Sequence, residues 1–500
     1  MKFNRSSGII LHPSSLPGPD GIGDLGPEAY HWVDFLSQCG CSLWQMLPLG
    51  PTGYGDSPYQ CFSAFPGNPY LISPIAMLED NLLTRDDLVD RPDFPEQAVL
   101  FGEVIPWKIE LLNRAYARFQ SSQSHELQKS FDEFQEIEAS WLHDYAIFMA
   151  IKDAYAGQSW KEWPLALRNR DQRALSLFQQ ERPDAIKRHI FRQFLFFHQW
   201  KALQKYANLK NVNIIGDIPL YISFDSVEAW AHPELFFFDE NKLPTAVAGV
   251  PPDYFSPTGQ LWGNPLYRWE YHRKTDYQWW LQRIKASLKI FDILRLDHFR
   301  GFAGYWKIPA GMPTAEIGNW EAGPGKHFFY VVQQQLGDLP IIAEDLGEIT
   351  PEVDELRDTF HLPGMKIIQF SFSTDSTNDF LPHNYSENCA AYTGTHDNDT
   401  IRGWYDQAPE IEQDFCRRYL SCTGDDISWD LIRAVWSSVA EMALAPIQDF
   451  LSLGSNARMN YPGTPSGNWT WRLQSEALND NLVERINDLN SLYGRSPHNG

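Results

Sequence analysis

The sequence predicts an α/β protein built as a (β/α)8 barrel, and three observations carry that prediction. Eight short apolar runs punctuate the chain, at 8–12, 43–47, 212–217, 292–297, 340–344, 366–370, 390–395 and 447–451. Helix-like patterns separate most of them, such as 27–39 after the first run and 277–288 before the fourth, so the order reads as repeated β/α units. Three of the runs also end on a carboxylate. The carboxyl ends of the strands form the face on which such a barrel keeps its functional residues.

Five hundred residues, 43% of them hydrophobic, can bury the core of one elaborated barrel. The strand spacing is uneven, however. About 165 residues separate the second and third runs, far more than one crossover helix needs, so an insertion is expected there. Its apolar residues recur at helical spacing, first Leu111, Ala115 and Phe119, then Phe131, Phe134, Trp141 and Tyr145, then Ile186, Ile190, Phe194 and Phe197. The expectation is a single catalytic barrel over 1–500 with a helical subdomain inserted at roughly 75–205. A second excursion, roughly 223–270, is rich in Pro, Gly and aromatic residues and lacks helical period, which suits a loop-built lid.

The charge balance, 41 basic against 64 acidic residues, gives −23 and opposes binding to nucleic acid or to anionic membranes. The apolar run at 8–11 is too short for a signal-peptide core, and no later run reaches the length of a membrane span, so a cytoplasmic protein is expected. The six cysteines show no paired metal spacing and read as reduced thiols. Gly21-Ile-Gly23-Asp-Leu-Gly26 formally matches a dinucleotide fingerprint. A Pro-rich stretch separates it from the preceding strand, and Trp44 and Gln45 stand where an acidic ribose ligand belongs, so the match is set aside. No phosphate loop or catalytic zinc motif occurs, and no cofactor is expected.

The remaining chemistry is that of carboxylates. In Ile293-Leu-Arg295-Leu-Asp297-His298, strand alternation puts Arg295 and Asp297 on one face. The same rule pairs Ile342 with Glu344, and Thr393 and Thr395 with Asp397. Glycoside cleavage depends on such a set: one acid protonates the leaving oxygen while a second carboxylate attacks or activates water. Asp297 suits the nucleophile, because Arg295 would hold it ionised. Glu344, behind Ile341, Ile342 and Ala343, suits the acid/base, because desolvation raises a carboxyl pKa. Asp397 would stabilise the positive transition state. His298 and His396 could hold sugar hydroxyls or be structural, and Asp217 could bind sugar or serve the barrel rim. A structural ion-pair network around Arg295 and Arg300 is the plain alternative. Two loops offer sugar platforms: Gly53-Tyr54-Gly-Asp56-Ser57-Pro-Tyr59, and 251–265 with Tyr254, Phe255, Gln260, Trp262 and Asn264, too rich in Pro and Gly for a strand.

Several of these segments resemble glycoside hydrolase family 77, the 4-alpha-glucanotransferases. The likeness is carried by Ile9-Ile-Leu11-His12-Pro-Ser-Ser-Leu-Pro17, Gly53 to Tyr59, Leu294 to Phe302, Ala343 to Gly347 and Thr393 to Thr400. It implies retaining transfer of an α-1,4-glucan segment from a maltooligosaccharide or starch donor to the 4-hydroxyl of glucose or another glucan. By the likeness Asp297 is the nucleophile, Glu344 the acid/base and Asp397 the stabiliser. Arg295, His396, Asp217 and Tyr59 match substrate positions, the loop of Gln260, Trp262 and Asn264 covers the acceptor side, and Tyr54 matches a secondary glucan contact. An α-amylase-like hydrolase and a non-catalytic glucan-binding scaffold are the competing readings.

Overall fold

The computed structural model describes residues 3–121, 124–252, 256–373, 375–464 and 466–497. Twelve strands occur among them: β1 (Ser6–Ile10), β2 (Leu43–Gln45), β3 (Asn213–Ile218), β4 (Ala246–Val250), β5 (Gln260–Pro265), β6 (Ile293–Leu296), β7 (Gly304–Pro309), β8 (Asn319–Ala322), β9 (Ile341–Ala343), β10 (Gly364–Ile367), β11 (Cys389–Tyr392) and β12 (Met442–Pro446). Eight of them pair in parallel in the order β10-β11-β12-β1-β2-β3-β6-β9. The Ala343 N–H donates to Pro363 O at 2.9 Å and joins the two ends. The expected (β/α)8 barrel is therefore the fold.

Alternation along the strands fills the interior. Ile10, Leu43, Ile215, Ile293, Ile342 and Leu444 point inward and pack on one another. Their outward neighbours meet the surrounding helices, and on β3 that neighbour is Gly216. A Cβ there would lie 2.1 Å from the Phe291 ring, so glycine lets the ring pack directly on the strand.

Two strands differ from expectation, and the first is β10, which spans Gly364–Ile367 while Ile368–Phe370, the end of the run at 366–370, makes a 3-10 turn. Residues 447–451 form a short helix, Ile447–Phe450, and the eighth barrel strand is Met442–Pro446 just before it. Ile447 and Phe450 are both buried, at the i, i+3 spacing of one helical turn, and this apolar pattern is easily mistaken for strand alternation.

The long insertion is helical, with Phe101–Ser121, His125–Ile137, Ala139–Ala154 and Gln172–Glu181. It returns through Pro183–Leu209, a helix of 27 residues and hence about 40 Å. This helix also serves the barrel: the Trp200 indole N–H donates to Ile290 O at 3.0 Å, next to β6.

The second excursion is not built of loops alone. Gln260–Pro265 is a strand despite its glycine and proline, and the 253–255 part of that stretch, with Tyr254 and Phe255, lies outside the described residues. β5 pairs antiparallel with β4, β4 with β7, and β7 with β8. This four-stranded sheet draws β4 and β5 from before β6 and β7 and β8 from after it. Val250, Gln260 and Pro265 sit at strand ends or next to a register shift, where missing ladder bonds are tolerated.

Candidate active site

β6 ends at Leu296, but its ladder runs one residue further: the Asp297 N–H donates to Ile218 O at 3.0 Å. Arg295 and Asp297 therefore point into the same opening. The Arg295 guanidinium donates through Nη1 to Asp217 Oδ2 at 2.6 Å and to Asp297 Oδ1 at 3.1 Å. The Tyr59 hydroxyl donates to the same Asp217 oxygen at 2.6 Å. Asp217 Oδ1 is buried and has no protein partner among the described residues, which leaves an acceptor for an incoming hydroxyl.

β9 is extended in the same way by the Glu344 N–H, which donates to Leu296 O at 3.0 Å. Glu344 Oε2 accepts from the His298 N–H at 2.6 Å. His298 reaches that geometry with φ 51°, the left-handed region, which for a non-glycine residue costs about 1 kcal/mol or more. The left-handed turn is what aims this N–H at the carboxylate.

Asp397 arrives by another route. β11 stops at Tyr392, whose side chain fills the barrel interior, so strand alternation does not carry forward to 397 as the sequence pattern suggested. A turn does the placing: Asn398 Oδ1 accepts from the N–H and the hydroxyl of Thr395, each at 2.9 Å, and Thr395 Oγ1 accepts from the Asp397 N–H at 3.3 Å. Asn460 donates to Asp397 Oδ1 at 2.6 Å, His396 Nε2 lies 3.3 Å from Oδ2, and Arg458 donates to the Asp397 carbonyl at 2.5 Å. The His396 ring stacks on Tyr59 at 5.0 Å and 19°.

These partners separate the three carboxylates electrostatically. Loss of solvent pushes Asp297 up to about 6, while Arg295 pulls it down and Asp217 and Asp397 push it further up. Arg295 thus holds Asp297 less firmly than expected from the sequence, because Asp217 shares the guanidinium and desolvation outweighs it. Desolvation, reinforced by the charges of Asp297 and Asp345 against Arg295 and the His298 N–H, raises Glu344 well above the usual carboxylate range. Enclosure alone would raise Asp397 as well, but His396, Asn460 and Arg295 overcome it and hold this group below the usual range. The site therefore sets its three carboxylates apart, with Glu344 and Asp297 raised and Asp397 lowered. Among the described residues no group of three or more His, Cys, Asp and Glu side chains could hold a metal ion.

A family model described as 4-alpha-glucanotransferase, glycoside hydrolase family 77, matches residues 11–478. The chain belongs to that family. It is 50% identical over 481 residues to the 4-alpha-glucanotransferase of Thermus thermophilus, covering 95% of each chain. It is 48% identical over 499 residues to that of Synechocystis sp., covering 99% of each. Among solved structures, amylomaltase from Streptococcus agalactiae in complex with acarbose superposes with a TM-score of 0.96 at 39% identity, over 99% of this chain and all of that one.

Within this family 77 enzyme, Tyr59, Asp217, Arg295, Asp297, His396 and Asp397 form one connected set, and Glu344 joins it through the His298 turn. The Trp262 ring stands edge-on to His298 at 4.8 Å and 88°, and its N–H donates to Gln260 Oε1 at 3.1 Å. Burial pushes the His298 imidazole down to about 3, with the Arg300 charge adding to the effect, so this ring is neutral. Ser57 accepts from the Tyr59 N–H at 3.2 Å and shapes that loop. Asn264 is buried and donates to Ile222 O at 2.8 Å, a tie between β5 and the segment after β3, while Tyr54 stands 77% exposed. The sequence reading overlooked Arg458, Asn460 and Trp469, whose ring lies 5.9 Å from those of both Tyr59 and His396. They lie beyond β12 in a stretch rich in Pro, Gly, Asn and aromatics, the same signature that drew attention to 53–59 and 251–265.

Proposed function

We propose that this enzyme transfers α-1,4-glucan segments by a retaining double displacement. The observation that carries the reading is the unequal electrostatic setting of three carboxylates at one barrel mouth: burial raises Glu344 well above the usual carboxylate range and Asp297 to about 6, while His396 and Asn460 hold Asp397 below it. Asp297 attacks the anomeric carbon of the donor as Glu344 gives its proton to the departing 4-oxygen, and a β-linked glucosyl ester forms on Asp297. Asp397 lies beside the positive charge that develops on the sugar ring. Glu344, now a carboxylate, takes the proton of an acceptor 4-hydroxyl as that oxygen attacks the ester carbon, and an α-1,4 bond results. Asp217 Oδ1, Tyr59, His396 and Arg295 are the sugar-binding groups of this reading, and His298, Gln260 and Trp262 face the acceptor. Ser57 and Asn264 shape the loops around them, and Tyr54 offers a peripheral glucan contact.

The substrates that follow are maltooligosaccharides, amylose, starch or glycogen chains, handled by one catalytic barrel with the helical insertion at roughly 75–205 and the excursion at roughly 223–270 over its mouth. All six cysteines are unpaired thiols, which supports a reducing, cytoplasmic setting for that activity. No helix among the described residues is long and apolar enough to cross a membrane.

Maltotriose alone as substrate tests the reading. Transfer yields glucose and longer chains with a constant number of reducing ends, whereas a steady rise in reducing ends would establish a hydrolase instead. Trp262→Ala removes the ring beside His298 and opens the acceptor side to water. The transfer-to-hydrolysis ratio on maltotriose is expected to fall about tenfold, with little change in thermal midpoint. An unchanged ratio removes Trp262 from water exclusion.

A further inference from the structure

The barrel closes least securely between β9 and β10, at the strand that delivers Glu344. Among the described residues the two strands share one backbone hydrogen bond, from the Ala343 N–H to Pro363 O. The next bond across the seam comes from a side chain: Asp345 Oδ1 accepts from the Met365 N–H at 2.7 Å. Asp345 Oδ2 accepts from Arg357 Nη1 at 2.6 Å, and the Asp345 side chain is 4% exposed. Arg357 is itself held by Asp354 at 3.0 Å and by Asp358 at 2.9 Å. A Cβ on Gly364 would lie 2.3 Å from Asp345 Oδ2, so glycine at 364 is what lets the carboxylate reach the β10 backbone.

Two lines run from this seam to the reacting groups. Asp345 follows Glu344 directly in the chain. Met365, whose N–H Asp345 holds, places its thioether sulfur 3.4 Å from Arg295 Nε, on the guanidinium that binds Asp217 and Asp297. We propose that Asp345 is a positioning residue for both reacting carboxylates: by closing the β9–β10 seam it fixes where Glu344 stands and, through Met365, where Arg295 presents itself to Asp297. Its charge acts on Glu344 as well. The groups facing Glu344 are Arg295, Asp297, Asp345 and the His298 N–H, and those facing Asp345 are Arg357, Lys366 and the Cys389 thiol. Asp345 is one of two anions there that favour the protonated form of Glu344.

The inference rests on Glu344 acting as the acid/base, and the test separates the two claims. Asp345→Asn keeps an oxygen for the Met365 N–H and removes the charge, so the Glu344 carboxylate is less opposed and ionises at lower pH. The basic limb of kcat/KM against pH for maltotriose is expected to move to lower pH by about one unit. Asp345→Ala also opens the seam, and kcat is expected to fall roughly 10- to 100-fold, with KM within about twofold and a folded protein by circular dichroism. Asp345→Glu, which restores the charge on a side chain one methylene too long for the seam, is expected to return the limb toward its original position without restoring kcat. An unmoved limb in a folded Asp345→Asn protein overturns the proposal, as does a loss of kcat in Asp345→Ala that merely tracks the unfolded fraction. The Glu344 reading fails by a different sign: substantial turnover of maltotriose by Glu344→Gln, whatever Asp345 does.

Discussion

Asp297→Asn is expected to leave about one part in 10⁴ of the turnover of maltotriose, or less, because a carboxamide cannot form the glucosyl ester. The fold is expected to survive. The introduced carboxamide keeps an oxygen facing Arg295, and Arg295 keeps its shorter bond to Asp217. The pH dependence of stability adds a second readout. Asp297 titrates near 6 in the folded chain, above its value of about 3.9 when unfolded. Between those values the folded state binds more protons than the unfolded state, so stability falls as pH rises through that window, and the unfavourable contribution is fully present above it. The substituted protein lacks this contribution. Its thermal midpoint is therefore expected to match or exceed that of the parent at pH 7 to 8, the advantage vanishing near pH 4. Initial rates on maltotriose and melting curves at the two pH values check both parts, and turnover above about one percent of the parent rate would falsify the nucleophile assignment.

Glu344→Gln carries the second largest effect, and its shape says more than its size. Loss of the proton donor costs a leaving group that needs protonation about 10²- to 10⁴-fold. The new side-chain amide keeps an oxygen to accept the His298 N–H, so the strained turn at φ 51° stays supported. A donor whose leaving group departs without a proton, such as α-glucosyl fluoride, escapes most of the penalty in the first half-reaction. The basic limb of the pH profile should vanish at the same time, since burial and neighbouring anions raise Glu344 well above the usual carboxylate range and the substituted amide does not titrate. Equal losses on maltotriose and on the fluoride donor would leave Glu344 without a role in leaving-group protonation.

The barrel could be read from the sequence wherever a strand is an uninterrupted apolar run that stops on a polar group, as at Ile293 to Asp297 and Ile341 to Glu344. β12 escaped because Met442-Ala-Leu-Ala-Pro446 is small and bland, while the following Ile447-Gln-Asp-Phe450 looks more strand-like and in fact makes a helical turn. Alternation predicted the orientations of Asp297 and Glu344 because the ladders continue to those residues. It could not predict that of Asp397, which hangs on an Asn398–Thr395 turn and on Asn460, 63 positions away. Side chains that meet only after the chain has closed into a barrel leave no local pattern. For the same reason the sharing of Arg295 between Asp217 and Asp297 was invisible, and with it the modest hold that Arg295 has on Asp297.

The four-stranded sheet determines how this barrel can be edited. Because β4 and β5 precede β6 while β7 and β8 follow it, the strand carrying Arg295 threads between two halves of one unit. Neither half is a detachable cassette. Cutting out 223–270 would strip β7 of the β4 partner that spans Trp306 to Pro309 and bare a row of ladder groups there. A graft into another barrel would have to carry both halves together with β6, so the four-stranded sheet and the strand that leads to Asp297 are inherited as one piece.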